Sequence, residues 1–490
     1  MNFKINEDFL GKLMYVFAFI FLGYTLFVAV RYPFLTVDGW FTKGLLSLPL
    51  TQQISITAID VHPPLYYLIL NTVVNALDMF NVDMILSMKI ASIIPYAIIF
   101  ILCLTKVKKD YGILAGGIMA FSLLTMSAYF NHYLTARMYS WSILFVFAAF
   151  LYVKPIIEQN NLKSWIIVTI LAVLGAYTHY FTAITFVALY FLLLVYALIK
   201  NRATVKNWFI SVIIAIILYA PWALTLLRQM RSVKNSYWIE PASLKLIIDC
   251  FGSYITFYPS IIVSLAGTLL LIAFTILIIK DYLKNMDSQN EYYLIGILAF
   301  ALTITAGVVA SFVYKPIMIV RYVMPATAMV WIVISIYISK LNLQKFTVIL
   351  TVLVLVIGAA NMAYQMQEVY ELHDDFIEDE AFLESINTND TIIVYDGMQK
   401  YMRFHEYLNN TTYFVNYEVN NETHNEDYIK TLELNDTLFK VPYDLDKHPG
   451  KTLYIVRDHR EKVDHVDGYK IKTEHKIHNC NFVKITKNRK

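Results

Sequence analysis

Charge is scarce in this chain. Only 16% of its 490 residues are Asp, Glu, Lys or Arg, against about a quarter in a typical soluble domain. The deficit excludes an ordinary cytoplasmic enzyme, and it excludes a disordered chain, which is polar throughout. A net charge of +3 is too small to argue for a nucleic-acid partner. Cysteine is scarce as well. Cys103, Cys250 and Cys480 are too few for a disulfide framework, and Cys103 lies inside an apolar run. Cys480 stands alone in the polar C-terminal stretch, so a free thiol is expected there. What is abundant is apolar: 58% of the residues are hydrophobic and 15% aromatic, as in a protein with many membrane interfaces.

The scarcity is uneven. Residues 1–364 are long apolar runs broken by short polar turns, and residues 365–490 are polar and charged. The fold class read from this is an all-α polytopic membrane domain over 1–364, followed by a small soluble α/β domain over 365–490. Runs long enough to cross a bilayer, at about 17–25 residues, fall near 13–31, 84–105, 112–130, 138–153, 164–178, 181–199, 207–227, 260–279, 292–313, 317–339 and 345–364. The first has no small-residue cleavage site and reads as a retained span. The run 64–80 begins at Pro63-Pro64, contains Asn71 and Asn75, and ends at Asp78. If it does not cross and the N-terminus is cytoplasmic, the turns at Lys106–Lys109, Lys154–Lys163, Lys200–Lys206, Lys280–Lys284 and Lys340–Lys345 are all cytoplasmic and all basic, as the positive-inside rule requires. Eleven spans are therefore expected, with the C-terminal domain extracytoplasmic. Residues 32–83 form a first external loop with a surface helix, and 228–259 a second large one. Sequons at Asn389, Asn409, Asn410, Asn421 and Asn435, all in the C-terminal domain, agree with an outer location; an Asn-rich segment also produces them by chance. Strands are expected at 391–395, 413–417, 453–456 and 482–485, and a helix over 399–408.

This topology gathers the polar residues that need a reason on one side. The first loop holds Asp38, Asp60 and His62; later outer turns hold Asn131 to Tyr139, Tyr177 to Tyr180, the stretch with Arg228, Arg231, Lys234 and Trp238, and Arg321-Tyr322. Ionisable groups at membrane depth are costly and mark function. Arginine pairs bidentately with phosphate, and a nearby carboxylate serves as a general base. Group transfer from a lipid phosphate to an external acceptor is what that combination suggests.

In order, Asp38, His62-Pro-Pro-Leu-Tyr-Tyr67, Ala136-Arg-Met-Tyr-Ser140, Thr178-His-Tyr180, Trp238-Ile-Glu-Pro-Ala-Ser243 and Arg321-Tyr-Val-Met-Pro325 resemble the C-type (GT-C) membrane glycosyltransferases. The nearest branch is protein O-mannosyltransferase-like, or aminoarabinose-transferase-like. Each motif alone is weak, whereas the ordered set, over nearly all of residues 1–340, is more specific. The resemblance implies inverting transfer of a sugar from a polyprenyl-phosphate (dolichyl or undecaprenyl) donor to a protein, glycolipid or polymer acceptor, with Asp38 as base. It implies that Arg137 and Arg321 stabilise the leaving phosphate, that His62 and His179 add hydrogen bonds or hold a metal, and that Asp60, Tyr139, Tyr180, Trp238 and Tyr322 line the substrate site. Gly39 and Thr135 stand where many relatives carry acids, Thr135 at a position that often serves a divalent metal. A metal is therefore neither assigned nor required.

Structural roles compete with these. Asp38 and Asp60 are alternatively helix caps, and Arg137 and Arg321 alternatively snorkel to headgroups. His179 alternatively satisfies backbone carbonyls in a tight turn, and His132 reads as an interface residue. Tyr66, Tyr67, Tyr180 and Trp238 also suit an aromatic belt. A transporter or flippase is the rival function, but matching halves and mid-span charges, its usual marks, are not seen. A polymer ligase would more often place its main external loop late in the chain, and a receptor needs no catalytic carboxylate.

Overall fold

The computed structural model describes residues 6–126, 129–235, 239–256, 260–341, 344–416, 431–432, 450–458 and 469–487. The chain forms two compact units. The first comprises Met1–Arg31, His62–Arg228 and Tyr237–Val369; the second comprises Tyr32–Val61, Gln229–Ser236 and Tyr370–Lys490.

The first unit is helical. Among the described residues, nine helices of the chain are long and apolar enough to cross a membrane: Glu7–Arg31, Met84–Tyr111, Tyr139–Gln159, Tyr180–Ile199, Thr204–Val233, Ile261–Lys284, Ser288–Val313, Val320–Ser339 and Lys345–Ile386. They coincide with nine of the expected spans, and the chain is a multi-pass membrane protein. The other two expected spans are short helices. Ile113–Thr125 has 13 residues and Leu162–Ala176 has 15, which at the helical rise reach about 20 Å against an apolar core of about 30 Å. The expected span 112–130 is in fact broken. Met126 is extended (φ −76°, ψ 139°) after Thr125, and a separate helix, Tyr129–Leu134, follows. At the end of the first of these helices the Tyr133 hydroxyl donates to Leu123 O at 2.8 Å. Among its described residues, the second expected loop, 228–259, is also largely helical. Thr204–Asn235 runs on through Arg228 and Arg231, and Leu244–Gly252 is a further helix. Arg, Gln and Met are good helix formers, so loss of apolarity there did not mean loss of helix.

Helices Glu7–Arg31 and Ile113–Thr125 meet backbone to backbone. A Cβ on Gly117 would lie 2.4 Å from Gly11 O, and one on Gly11 2.8 Å from Leu114 N, the small-residue packing of membrane helices. Gly117→Val is expected to cost ~1–3 kcal/mol through overpacking, seen as a lower melting temperature in detergent. Unchanged melting would show that the helices part there freely.

In the second unit, β1 (Thr391–Asp396), β2 (Thr412–Asn416), β3 (Thr452–Asp458), β4 (Tyr469–Ile477) and β5 (Cys480–Lys487) form one sheet in the order β2-β1-β3-β5-β4. β1 runs parallel to β2 and β3, and β5 runs antiparallel to β3 and β4. Ile392, Val394, Leu453, Ile455, Val483 and Ile485 make its core. All of β1 is buried, as central parallel strands are. β4 escaped the sequence reading because it is an edge strand, largely exposed and carrying Lys470, Lys472 and Lys476, the charged pattern that guards edges. The expected helix 399–408 is Met398–Phe404. Cys480 is a buried free thiol. Asn389, Asn409 and Asn410 are exposed, while Asn421 and Asn435 lie outside the described residues.

Candidate functional site

Local backbone brings the motifs of the first unit together. Pro63 and Pro64 start the helix Leu65–Asp78, as a proline-fixed φ favours. The Leu65 N–H donates to Tyr177 O at 3.0 Å, joining the His62–Tyr67 motif to the Thr178–Tyr180 turn. Arg137 follows Ala136, whose φ of +51° is a left-handed conformation that a residue with a side chain adopts only when its surroundings impose it. The turn directs Arg137 inward. It is 5% exposed, its Nη2 donates to His62 Nε2 at 3.1 Å, and its Nη1 lies 3.5 Å from the Tyr67 hydroxyl. A guanidinium only donates, so the His62 proton sits on Nδ1.

His179 is the N-cap of Tyr180–Ile199. Its Nδ1 accepts from the Phe181 N–H at 3.3 Å, so the neutral ring carries its proton on Nε2. It serves a backbone N–H here, not the carbonyls considered from sequence. Its ring stands 5.5 Å from Tyr139 and 5.0 Å from Tyr322, and Tyr139 meets His132 edge-on at 5.0 Å. Burial first, then the neighbouring basic groups His62, Arg137 and Arg321, hold His179 well below the usual imidazole range. Burial and Arg321 push His132 down to about 3. The charges that act on His179 are all basic, a setting that favours an anionic ligand.

The structure thus unites His62, Arg137, Tyr139, His179, Arg321 and Tyr322, and it adds His132, which the sequence reading set aside. The His132 Nδ1 is buried with no hydrogen-bond partner among the described residues. No spacing signal marks His132, because the helix break at Met126 that aims it is not visible in the sequence. The Tyr180 hydroxyl accepts from Trp222 Nε1 at 3.1 Å. Trp238 lies outside the described residues. Asp38 and Asp60 belong to the second unit. Asp38 is not a cap: Thr36 caps Val37–Leu46 by accepting from Gly39 N–H, and Asp38 stands in the first turn. Nor does Asp60 cap the Leu65–Asp78 helix, whose N-cap is Pro64; Asp60 closes the preceding helix, Leu50–Ile59. Among the described residues no group of three or more His, Cys, Asp or Glu is arranged to hold a metal ion.

The unfolded state takes up protons at His132 and His179 below about pH 6.5 that the folded state refuses. The stability these neutral rings contribute is complete above that pH and is lost as pH falls. The melting temperature in detergent is expected to drop from pH 7 to pH 5, and His132→Gln to flatten the drop. A pH-independent melt in the native chain would show that the rings are not sealed.

No family model matches the sequence, and no curated protein does. Solved structures do. The crystal structure of ArnT from Cupriavidus metallidurans in the apo state matches with a TM-score of 0.57 at 10% identity, covering 96% of this chain and 97% of that one. The same protein bound to undecaprenyl phosphate matches with a TM-score of 0.60 over the same shares at 10% identity. The chain has the ArnT fold. At that identity the likeness is one of fold, and it agrees with the fold implied by the aminoarabinose-transferase-like motifs. The ArnT fold extends over nearly the whole length of both chains, so it takes in the C-terminal sheet as well as the helices.

Proposed function

We propose that this chain is a membrane glycosyltransferase that moves a sugar from a polyprenyl-phosphate donor to an extracytoplasmic acceptor hydroxyl, with inversion. The observation that carries the reading is the basic cluster among tyrosines, in which Arg137 and His179 are buried and His62 and Arg321 half-buried. Undecaprenyl phosphate bound to a protein of the same fold supports it.

In the proposed reaction the acceptor oxygen bonds to the anomeric carbon as that carbon's bond to the phosphate oxygen breaks. Asp38 takes the acceptor proton. Polyprenyl phosphate leaves, and Arg137 and Arg321 meet the charge it acquires. Attack opposite the leaving group inverts the centre. His62 and His179 orient by hydrogen bonds; Tyr139, Tyr322, Tyr180, Trp238 and Asp60 line the sugar and carrier. The N-terminus is cytoplasmic in this reading and residues 365–490 extracytoplasmic.

The purified chain in detergent, given a panel of hexosyl- and pentosyl-phosphate polyprenols with a hydroxyl acceptor, is expected to release polyprenyl phosphate from at least one donor. Absence of release across the panel, with the same lipids crossing liposomes that contain the protein, would replace this reading with transport.

A further inference from the structure

The segment Tyr32–Val61 is part of the second unit, and the way it is held there assigns that unit a role. Trp40, 1% exposed, sits among Phe376, Phe404 and Tyr407, with ring centroids at 5.7, 5.6 and 4.6 Å. Three residues on, Lys43 Nζ lies 3.3 Å from Glu406 Oε1 and 3.9 Å from the Tyr407 ring centroid. At Gly44 the helix meets the backbone of Met398–Phe404 directly: a Cβ there would lie 1.8 Å from Met402 O. Positions 40, 43 and 44 share one helical face, so one face of Val37–Leu46 is fitted to the C-terminal part of the chain.

The stretch of chain entering this helix is clamped too. His373 Nδ1 donates to Pro33 O at 2.8 Å, and His478 Nε2 donates to Leu35 O at 3.2 Å. His478 occupies the β4–β5 turn with a φ of +48°, a conformation that costs about 1–3 kcal/mol and persists where the surroundings impose it. The far end of the segment is held by Gln229, whose Nε2 donates to Thr57 O at 3.0 Å. Asp38 lies between the clamped Leu35 carbonyl and the buried Trp40. A helix of ten residues is marginal in isolation, and Gly39 and Gly44 weaken it further. Its geometry therefore depends on this docking.

We propose that residues 370–490 are a positioning platform for Asp38. His373, His478 and Glu406, with the pocket around Trp40, are positioning residues that set where the carboxylate stands during transfer, and they leave donor binding to the first unit. The inference rests on Asp38 being the base of the reaction proposed above. A displacement of about 1 Å in a reacting group can cost 10²-fold in rate, so loosening the platform acts on kcat.

The test uses the full chain, with turnover measured on a donor it consumes and affinity measured with undecaprenyl phosphate alone. Lys43→Glu and Glu406→Lys are each expected to lower kcat about tenfold or more with lipid affinity unchanged, and the double exchange to recover most of the loss. His478→Ala should behave like the single exchanges, and His478→Gln, which keeps a donor, should restore turnover. Wild-type kcat in the single variants, equal losses of kcat and lipid affinity, or a double exchange no better than the worse single would overturn the platform. Asp38→Asn is measured beside them. If it turns over normally, the base assignment falls and the platform with it. If it is dead while the variants at 43, 406 and 478 are normal, the platform alone falls.

Discussion

Asp38→Asn is expected to lower turnover about 10²–10⁴-fold, the usual worth of a positioned base, while undecaprenyl phosphate binds as before. The amide keeps the size of the carboxyl and its place in the helix but cannot accept the acceptor's proton. Misfolding does not account for such a loss. Thr36, not Asp38, caps the helix, and an acid in the first turn contributes only about 0.3–1 kcal/mol through the helix dipole. Asp38→Glu, which retains a base but moves it by a methylene, should fall between the two. Equal turnover in Asp38→Asn and wild type, read as polyprenyl phosphate released per unit time, refutes the assignment.

Arg137 is the second residue whose loss should be felt strongly. Arg137→Ala is expected to reduce kcat/KM about 10²–10³-fold, as for removal of one donor to a developing oxyanion, and to weaken lipid binding, which Asp38→Asn does not. Lysine should not rescue it. The buried guanidinium serves His62 Nε2 and the Tyr67 hydroxyl from two nitrogens of one planar fork, and a single ammonium cannot reproduce that spacing. Part of what keeps His179 neutral is the Arg137 charge, so His179 should titrate closer to its ordinary range in Arg137→Ala. Full activity in Arg137→Lys would mean that the residue only snorkels to a headgroup.

The two residues differ in how far the sequence led to them. Arg137 and His62 were each legible as polar residues of outer turns, but their pairing across 75 positions was not. Their contact depends on the Ala136 backbone and on Leu65 reaching Tyr177 O. His132 was read as an interface residue, because nothing local shows that the chain breaks at Met126 and turns its ring onto Tyr139. Asp38 as a candidate cap failed for a reason the sequence did contain, since Thr36 is the better-placed hydroxyl.

Nine span positions were set by the sequence alone, because crossing apolar lipid demands long uncharged helices and that demand is local and cumulative along the chain. The same holds for the buried strands of the C-terminal sheet. Tertiary structure decided that residues 32–61 join residues 370–490, that His373 and His478 hold the backbone ahead of Asp38, and which imidazole meets which guanidinium. Those pairings join groups far apart in the chain, and hydrogen-bond and ring geometry settles them once packing has removed the alternatives; no periodicity in the residues encodes them.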